Sequence, residues 1–261
     1  MKSETVKKYY DKFSEKFEKD VVYGNLRVEY QKHFLKGVTH PGIQSVLIIG
    51  AGYGDLAPVI RKKVGPEARI LGLDISSDAI DRANKLFSNE KTRFRVCDIC
   101  ADEDELEGTY DLIIFPDCYE HLPRESRPTV HRKLAMHSHR GTRIVLTVPS
   151  LSKQAALRAN GEGLQIVDED VSVEDCLQLA KDVDGYLASF QQKSIWKSCD
   201  YYHILICVGE ESLQDRNPTT DGFFMTKLGA FSPQGTLERR LRPYRRLAQM
   251  LRERELRKIG S

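Results

Sequence analysis

Three glycines alternate along residues 50–54, which read Gly-Ala-Gly-Tyr-Gly directly after an apolar run. Glycine at alternate positions lets a chain turn tightly and brings backbone N–H groups close to a ligand. A dinucleotide fingerprint would have its third glycine where Asp55 stands. The run therefore favours a nucleoside ligand without a pyrophosphate, and an ordinary strand-to-helix turn is the alternative.

Two aspartates follow the next two strand-like runs. Asp74 ends the run ILGLD, and Asp98 ends the run FRVCD. Because parallel strands present their carboxyl ends at one edge of a sheet, we expect both carboxylates near the glycine turn. Asp74 suits a ribose diol, and Asp98 suits an exocyclic amine of adenine. A helix N-cap and a plain loop aspartate are the respective alternatives.

His121 follows a fourth apolar run, in the segment Phe-Pro-Asp-Cys-Tyr-Glu-His of residues 115–121. An imidazole with a pKa near about 6.5 suits removal of a proton from a hydroxyl group. His121 is thus a candidate general base, and capping of the turn before Pro123 is the alternative. If His121 is not the base, His203, Glu120 or solvent are the next candidates.

Five apolar runs alternate with helix-like segments and are nearly continuous in apolar character, as in strands buried on both faces. The strand-like runs are residues 46–49, 70–73, 94–96, 112–115 and 144–148, and the helix-like segments are 56–63, 77–87, 102–106 and 126–137. This alternation predicts an α/β fold with a parallel sheet and helices on both faces.

The pattern changes after the fifth run. Residues 151–170 show no clear period, and a capping-box spacing from Ser172 to Asp175 predicts the start of a helix. Runs 186–196 and 201–208 are joined by only four residues, which permits an antiparallel hairpin but no helical crossover. We interpret the acidic residues 168–170 as structural, since they precede a helix N-terminus.

These features together resemble the class I S-adenosylmethionine-dependent methyltransferases, whose Rossmann-like sheet carries a GxGxG turn, an acid after strands two and three, and a strand-four segment ending in Glu-His. The resemblance covers residues 9–208. It implies S-adenosyl-L-methionine as cofactor and S-adenosyl-L-homocysteine as product. The implied cofactor-binding residues are Gly50, Ala51, Gly52, Tyr53, Gly54, Asp74, Ile75, Asp98, Ile99 and Asp117.

The resemblance also implies a seven-stranded, mostly parallel sheet with an antiparallel last strand. We expect a helical lid over residues 1–40, the methyltransferase domain over 41–210, a linker over 211–235 and a basic helical tail over 236–261. One departure is Ile48, which stands where the family usually has an acid that orders the glycine turn.

The leading hypothesis for the reaction is O-methylation of a small hydroxylated molecule or glycan, with His121 as base. Polar residues within 151–170 favour a sugar over a lipid quinone as acceptor, and this segment is expected to form the acceptor pocket with the N-terminal helices. The competing hypothesis is a non-catalytic cofactor-binding or scaffold protein whose tail recruits a partner. A nicotinamide oxidoreductase is a third, which Asp55 argues against.

The charge distribution and the cysteine spacing indicate which partners and metal sites this protein can have. From Thr236 to Ser261 the chain carries +6, which leaves −4 for the preceding residues and argues against nucleic acid as substrate. The tail carries an apolar stripe and could contact the acidic body, a membrane surface, a partner protein, a nucleic acid or a second copy of the chain. No zinc or other metal site is predicted, because the lone CxxC of residues 97–100 lacks a second pair. We expect a cytoplasmic protein, at most peripheral to a membrane.

Overall fold

The computed structural model describes residues 5, 9, 25–101, 106–161 and 164–210. Within these residues, seven strands form one sheet in the order β3-β2-β1-β4-β5-β7-β6. The strands are β1 (Ser45–Ile49), β2 (Arg69–Asp74), β3 (Thr92–Val96), β4 (Leu112–Pro116), β5 (Arg143–Pro149), β6 (Gly185–Lys193) and β7 (Tyr201–Val208). β1 to β5 run parallel, and β7 is antiparallel to both β5 and β6. The predicted Rossmann-like sheet is confirmed.

Helices connect these strands on both faces of the sheet. They are α1 (Leu26–Val38), α2 (Ala57–Arg61), α3 (Ser77–Phe87), α4 (Arg127–Met136), α5 (Leu151–Asn160) and α6 (Val173–Asp182), with two short 3₁₀ turns at Tyr119–His121 and Arg124–Ser126. None of the described helices is long and apolar enough to cross a bilayer. The predicted tail and linker, and most of the predicted lid, lie outside the described residues.

Two helix starts follow the local chemistry of the sequence. The Ser76 hydroxyl accepts a hydrogen bond from the Ala79 amide at 3.2 Å and caps α3. At α6, the Ser172 hydroxyl accepts from the Asp175 amide at 3.2 Å while the Asp175 carboxylate accepts from the Ser172 amide at 2.8 Å. The predicted capping box is therefore present, and it satisfies two amides that have no partner within the helix.

Successive residues of β1 pack into opposite faces of the sheet. Leu47 and Ile49 belong to the apolar core on the side of α4 and α6, whereas Val46 and Ile48 belong to the core on the side of α1, α2 and α3. This alternation is the two-residue period of a strand, and both cores are buried. Ile48 is fully buried. Its side chain therefore stabilises the core on the side of α1, α2 and α3 rather than the glycine turn.

Helix α5 has no counterpart in the sequence prediction, which found no period in residues 151–170. Ser150 caps the helix by accepting from the Lys153 amide, and Gly161 ends it with a φ of 66°. Only Gln154 is fully buried within the helix, so it lacks the apolar stripe on which a periodicity search depends. End signals, not hydrophobicity, define α5.

Candidate active site

A cleft of about 780 Å³ opens at the carboxyl ends of β1 to β5. Its volume falls in the range of about 300–1,000 Å³ that holds small-molecule ligands. Of the residues predicted from sequence, those that line the cleft are Gly50, Ala51, Gly52, Tyr53, Asp74, Ile75, Asp98, Ile99, Asp117 and His121. The topology thus brings together side chains from four separate segments, as open parallel sheets do at this edge.

Neighbouring side chains pack closely against the backbone of the glycine turn. Gly50 has a φ of 77°, and a Cβ built there would lie 2.5 Å from Cβ of Cys118. Gly54 does not line the cleft; a Cβ at its position would lie 2.6 Å from Cζ of Phe94. The first glycine therefore lets the chain pass over Cys118 at the cleft, and the third serves packing against β3.

Asp74 ties the end of β2 to the glycine turn. One carboxylate oxygen accepts from the Gly52 amide at 2.8 Å, and the other accepts from the Ser76 amide at 2.9 Å. Asp74 therefore bonds directly to the turn that, in the resemblance described above, would be ordered by an acid at position 48. A carboxylate can accept about four hydrogen bonds, so a group in this place is chemically suited to ligand hydroxyl groups as well.

The third strand contributes a mixed apolar and acidic surface. Asp98 accepts from the Cys100 amide at 3.0 Å, which orders the loop after β3. Ile75 and the buried Ile99 line the same cleft. This combination of aliphatic side chains with a carboxylate matches the needs of a flat heterocycle that carries an amine.

Asp117 occupies the end of β4 in a left-handed conformation, with a φ of 50°. Arg27 of α1 forms an ion pair with it, and the Gln31 amide donates to the same carboxylate oxygen at 3.2 Å. Burial raises the pKa of the Asp117 carboxyl, although Arg27 and His121 act in the opposite direction. Its other oxygen is buried and has no hydrogen-bond partner among the described residues.

Glu120 lies in the cleft beside His121 and is 2% exposed. Burial raises the pKa of its carboxyl to about 7, with the positive charge of His121 opposing that rise. Its Oε2 atom has no hydrogen-bond partner in the described part of the chain. A buried acid of this kind changes charge near neutral pH, where it couples to the titration of His121.

His121 is held by the loop before α6. Its Nδ1 lies 2.7 Å from the Val167 carbonyl oxygen and 3.2 Å from Oδ1 of Asp168. A carbonyl oxygen only accepts, so Nδ1 carries a proton and Nε2 is the basic nitrogen of the neutral ring. Burial lowers the pKa of His121, but the charge of Glu120 and the bonds from Asp168 and Val167 outweigh it, and the pKa is raised overall.

Sequence reasoning missed two charged residues of this cleft. Arg27 comes from α1 and hydrogen-bonds Tyr201 of β7 as well as pairing with Asp117. Asp168 was interpreted as structural, yet it lines the cleft and contacts His121. These residues come from distant segments and carry no local motif, so no signal in the sequence indicated them.

The other candidates lie elsewhere. His203 does not line the cleft; its ring stacks on Phe34 with centroids 4.9 Å apart, and burial lowers its pKa to about 3. The expectation that His203 could replace His121 as base is therefore wrong. His131 is bonded between Tyr119 and Asp182. Among the described residues no group of histidine, cysteine, aspartate or glutamate is arranged to hold a metal ion.

Part of the chain matches a known protein family. Residues 46–141 match the methyltransferase domain family. A comparison with curated proteins gave no match.

Solved structures share the fold. A Haloferax volcanii methyltransferase, in a complex with the Trm112 methyltransferase activator, superposes with a TM-score of 0.62 at 12% identity, over 79% of this chain and 99% of the other. Magnesium protoporphyrin IX methyltransferase from Synechocystis, with bound S-adenosylhomocysteine, gives 0.58 at 20% identity, over 79% and 99%. A TehB-like methyltransferase from Corynebacterium glutamicum gives 0.56 at 16% identity, over 76% and 96%.

Proposed function

We propose that the chain is a class I S-adenosylmethionine-dependent methyltransferase that methylates a hydroxyl group of a small molecule or glycan, with His121 as general base. The observation that carries this proposal is the bond from Nδ1 of His121 to the Val167 carbonyl, which leaves Nε2 as the basic nitrogen. A hydroxyl acceptor needs such a base, because its own pKa lies well above neutrality.

The residues of the cleft fit the cofactor in their chemistry. Asp74 places a carboxylate in the cleft that suits the ribose hydroxyls, and Asp98 with Ile75 and Ile99 offers a carboxylate and aliphatic walls for the adenine. When bound, the cofactor supplies an electrophilic methyl group on a sulfonium ion. Charge is neutralised in the transfer, so the protein has mainly to position the acceptor and remove its proton.

His121 takes that proton at Nε2. Methylation of the acceptor oxygen would release the O–H proton, and the imidazole would accept this proton so that the acceptor leaves as a neutral methyl ether. The resulting imidazolium is stabilised by Asp168 at Nδ1 and by the charge of Glu120, whose Oε1 lies 3.9 Å from Nε2. Proton removal by a positioned base contributes about 10²–10⁴-fold to such reactions.

The substrate end of the cleft is supported by α5 and the loop that follows it. The residues of this region that line the cleft are Lys153, Gln154, Leu157, Gln165, Val167 and Asp168. Their position supports an acceptor pocket formed in part by residues 151–170. Their mixed, largely polar chemistry favours a hydroxylated acceptor over a lipid quinone.

Two measurements test the proposal. Calorimetric titration with S-adenosylmethionine and S-adenosylhomocysteine should show binding; a folded protein that binds neither at millimolar concentration would support the scaffold hypothesis instead. A labelled-methyl screen over sugars, nucleotide sugars, quinones and amines should then give an O-methylated sugar. Transfer confined to quinones or to amines would refute the proposed acceptor.

A further inference from the structure

A tryptophan stands at the cleft with half of its surface in solvent. Trp196 lines the cleft, is 48% exposed and is the single tryptophan of the chain. Tyr201, which also lines the cleft, meets the indole edge to face with centroids 6.0 Å apart. An indole left this exposed beside a binding cavity offers an apolar, flat surface to a ligand.

Hydrogen bonds to the buried Asp200 hold the backbone of the loop that carries Trp196. The carboxylate of Asp200 accepts from three consecutive amides, those of Ile195 at 2.7 Å, Trp196 at 3.0 Å and Lys197 at 3.1 Å. Asp200 is 2% exposed, and its carbonyl accepts from the Ser150 amide at 3.0 Å at the start of α5. The loop thus holds the backbone of Trp196 in place without burying its side chain.

Lys153 of α5 stands beside the indole. Its Nζ lies 5.7 Å from the centre of the Trp196 ring, and Lys153 lines the same cleft. None of the described carboxylates forms an ion pair with this ammonium, whereas Arg27 deeper in the cleft is paired with Asp117. A flat apolar surface is therefore combined with a cation that can bind an anionic group.

We propose that Trp196 and Lys153 form the acceptor subsite, and that the acceptor is a sugar ring bearing an acidic group. This inference rests on the proposed O-methylation. The apolar C–H face of the ring stacks on the indole, and the phosphate or carboxylate of the acceptor accepts hydrogen bonds from Nζ of Lys153. Hydroxyl groups on the ring edge then project toward the part of the cleft that contains His121.

The single tryptophan makes acceptor binding directly observable. Protein saturated with S-adenosylhomocysteine is titrated with a sugar 1-phosphate, a hexuronic acid, the corresponding neutral hexose and a phenol while indole fluorescence is recorded. We expect saturable changes with both acidic sugars, at concentrations about tenfold or more below any change with the neutral hexose. The phosphate and carboxylate arms distinguish the two sources of the negative charge.

Two matched lysine variants separate the subsite from general charge effects. Lys153→Met should weaken binding of the acidic sugars about tenfold or more and leave binding of the neutral hexose unchanged. Lys197→Met, on the loop that carries Trp196 but outside the cleft, should have no effect. Trp196→Ala should raise the KM for an acidic sugar that serves as acceptor about tenfold. Trp196→Phe should recover most of the lost affinity. The affinity for S-adenosylhomocysteine, measured by calorimetry, should stay unchanged in all four variants.

The outcomes divide clearly. Labelled-methyl transfer to a hydroxyl acceptor without any fluorescence response would overturn the subsite and leave the proposed O-methylation intact. A stronger response to the phenol than to the sugars, or an equal loss in both lysine variants, would also overturn it. Saturable binding of an acidic sugar that depends on Lys153, with methyl transferred only to amines, would support the subsite and refute the hydroxyl acceptor.

Discussion

Oδ1 of Asp168 lies 3.2 Å from Nδ1 of His121 and joins the loop before α6 to the turn after β4. The Val167 carbonyl contacts the same nitrogen at 2.7 Å, so two neighbouring residues orient one imidazole. Hydrogen bonding to His121 lowers the pKa of the Asp168 carboxyl although burial acts to raise it. The pair therefore holds a negative charge beside the ring that, in our proposal, becomes positive during turnover.

Replacing His121 by alanine should separate chemistry from binding. The loss of the base is expected to lower kcat by about 10²–10⁴-fold, and the affinity for S-adenosylhomocysteine should change little. Labelled-methyl turnover and calorimetry measure the two effects. Full activity of this variant at every pH from 6 to 9 would exclude His121 as base.

Asp168→Asn should change the pH profile of the reaction. In the wild type, activity should rise with pH as His121 loses its proton, with an inflection above about 6.5 because its pKa is raised. The amide removes the charge that favours the imidazolium, so the inflection should move to lower pH and the maximal rate should fall. The matched control is Asp170→Asn, because Asp170 lies outside the cleft and forms an ion pair with Arg158. Identical profiles for Asp168→Asn and the wild type would exclude the positioning role.

Glu120→Gln should flatten the dependence of stability on pH. The carboxyl has a pKa of about 7 in the folded protein and about 4.3 in an unfolded chain, so the fold favours its protonated form. Its contribution to stability is present below about pH 4 and is lost as the pH rises through about 7. The free energy of unfolding should therefore fall between pH 5 and pH 8 by more in the wild type than in the variant. Equal falls in denaturant titrations would contradict this.

Asp74→Ala should weaken cofactor binding. The substitution removes the acceptor of the Gly52 amide and the proposed partner of the ribose hydroxyls, and charge-assisted hydrogen bonds contribute roughly 1.5–3 kcal/mol each. A rise of about tenfold or more in the Kd for S-adenosylhomocysteine is expected. Asp78→Ala, on the first turn of α3, is a control that keeps the Asp74 carboxylate. Unchanged affinity in Asp74→Ala would remove Asp74 from the cofactor site.

Asp200→Ala should loosen the loop that carries Trp196. Three amides lose a charged acceptor, at an expected cost of about 1–3 kcal/mol in the free energy of unfolding, since solvent can replace part of these bonds. Thermal or denaturant unfolding measures the loss. The indole emission should also shift toward that of a solvent-exposed tryptophan, and a spectrum identical to the wild type would show that Asp200 does not hold the loop.

The sequence was sufficient for the five parallel strands of the sheet and for most of the residues that our proposal assigns to the cofactor. Apolar runs of strand length, the glycine turn and the acids after β2 and β3 are local signals, and the topology of a parallel sheet brings their ends to one edge by itself. The capping box at Ser172 is equally local, because its two hydrogen bonds span only three residues. For these features, chain position alone predicts spatial position.

The side of the cleft that our proposal assigns to the acceptor was decided by the tertiary structure. Arg27, Asp168 and Trp196 come from a helix and two loops that are far apart in the chain, and none belongs to a motif that indicates a site. His203 shows the converse, since a histidine in a strand can face the core, where Phe34 covers it. Side-chain direction after a strand depends on how helices and loops pack over the sheet. That packing is a sum of many weak contacts between distant residues, which no local pattern encodes.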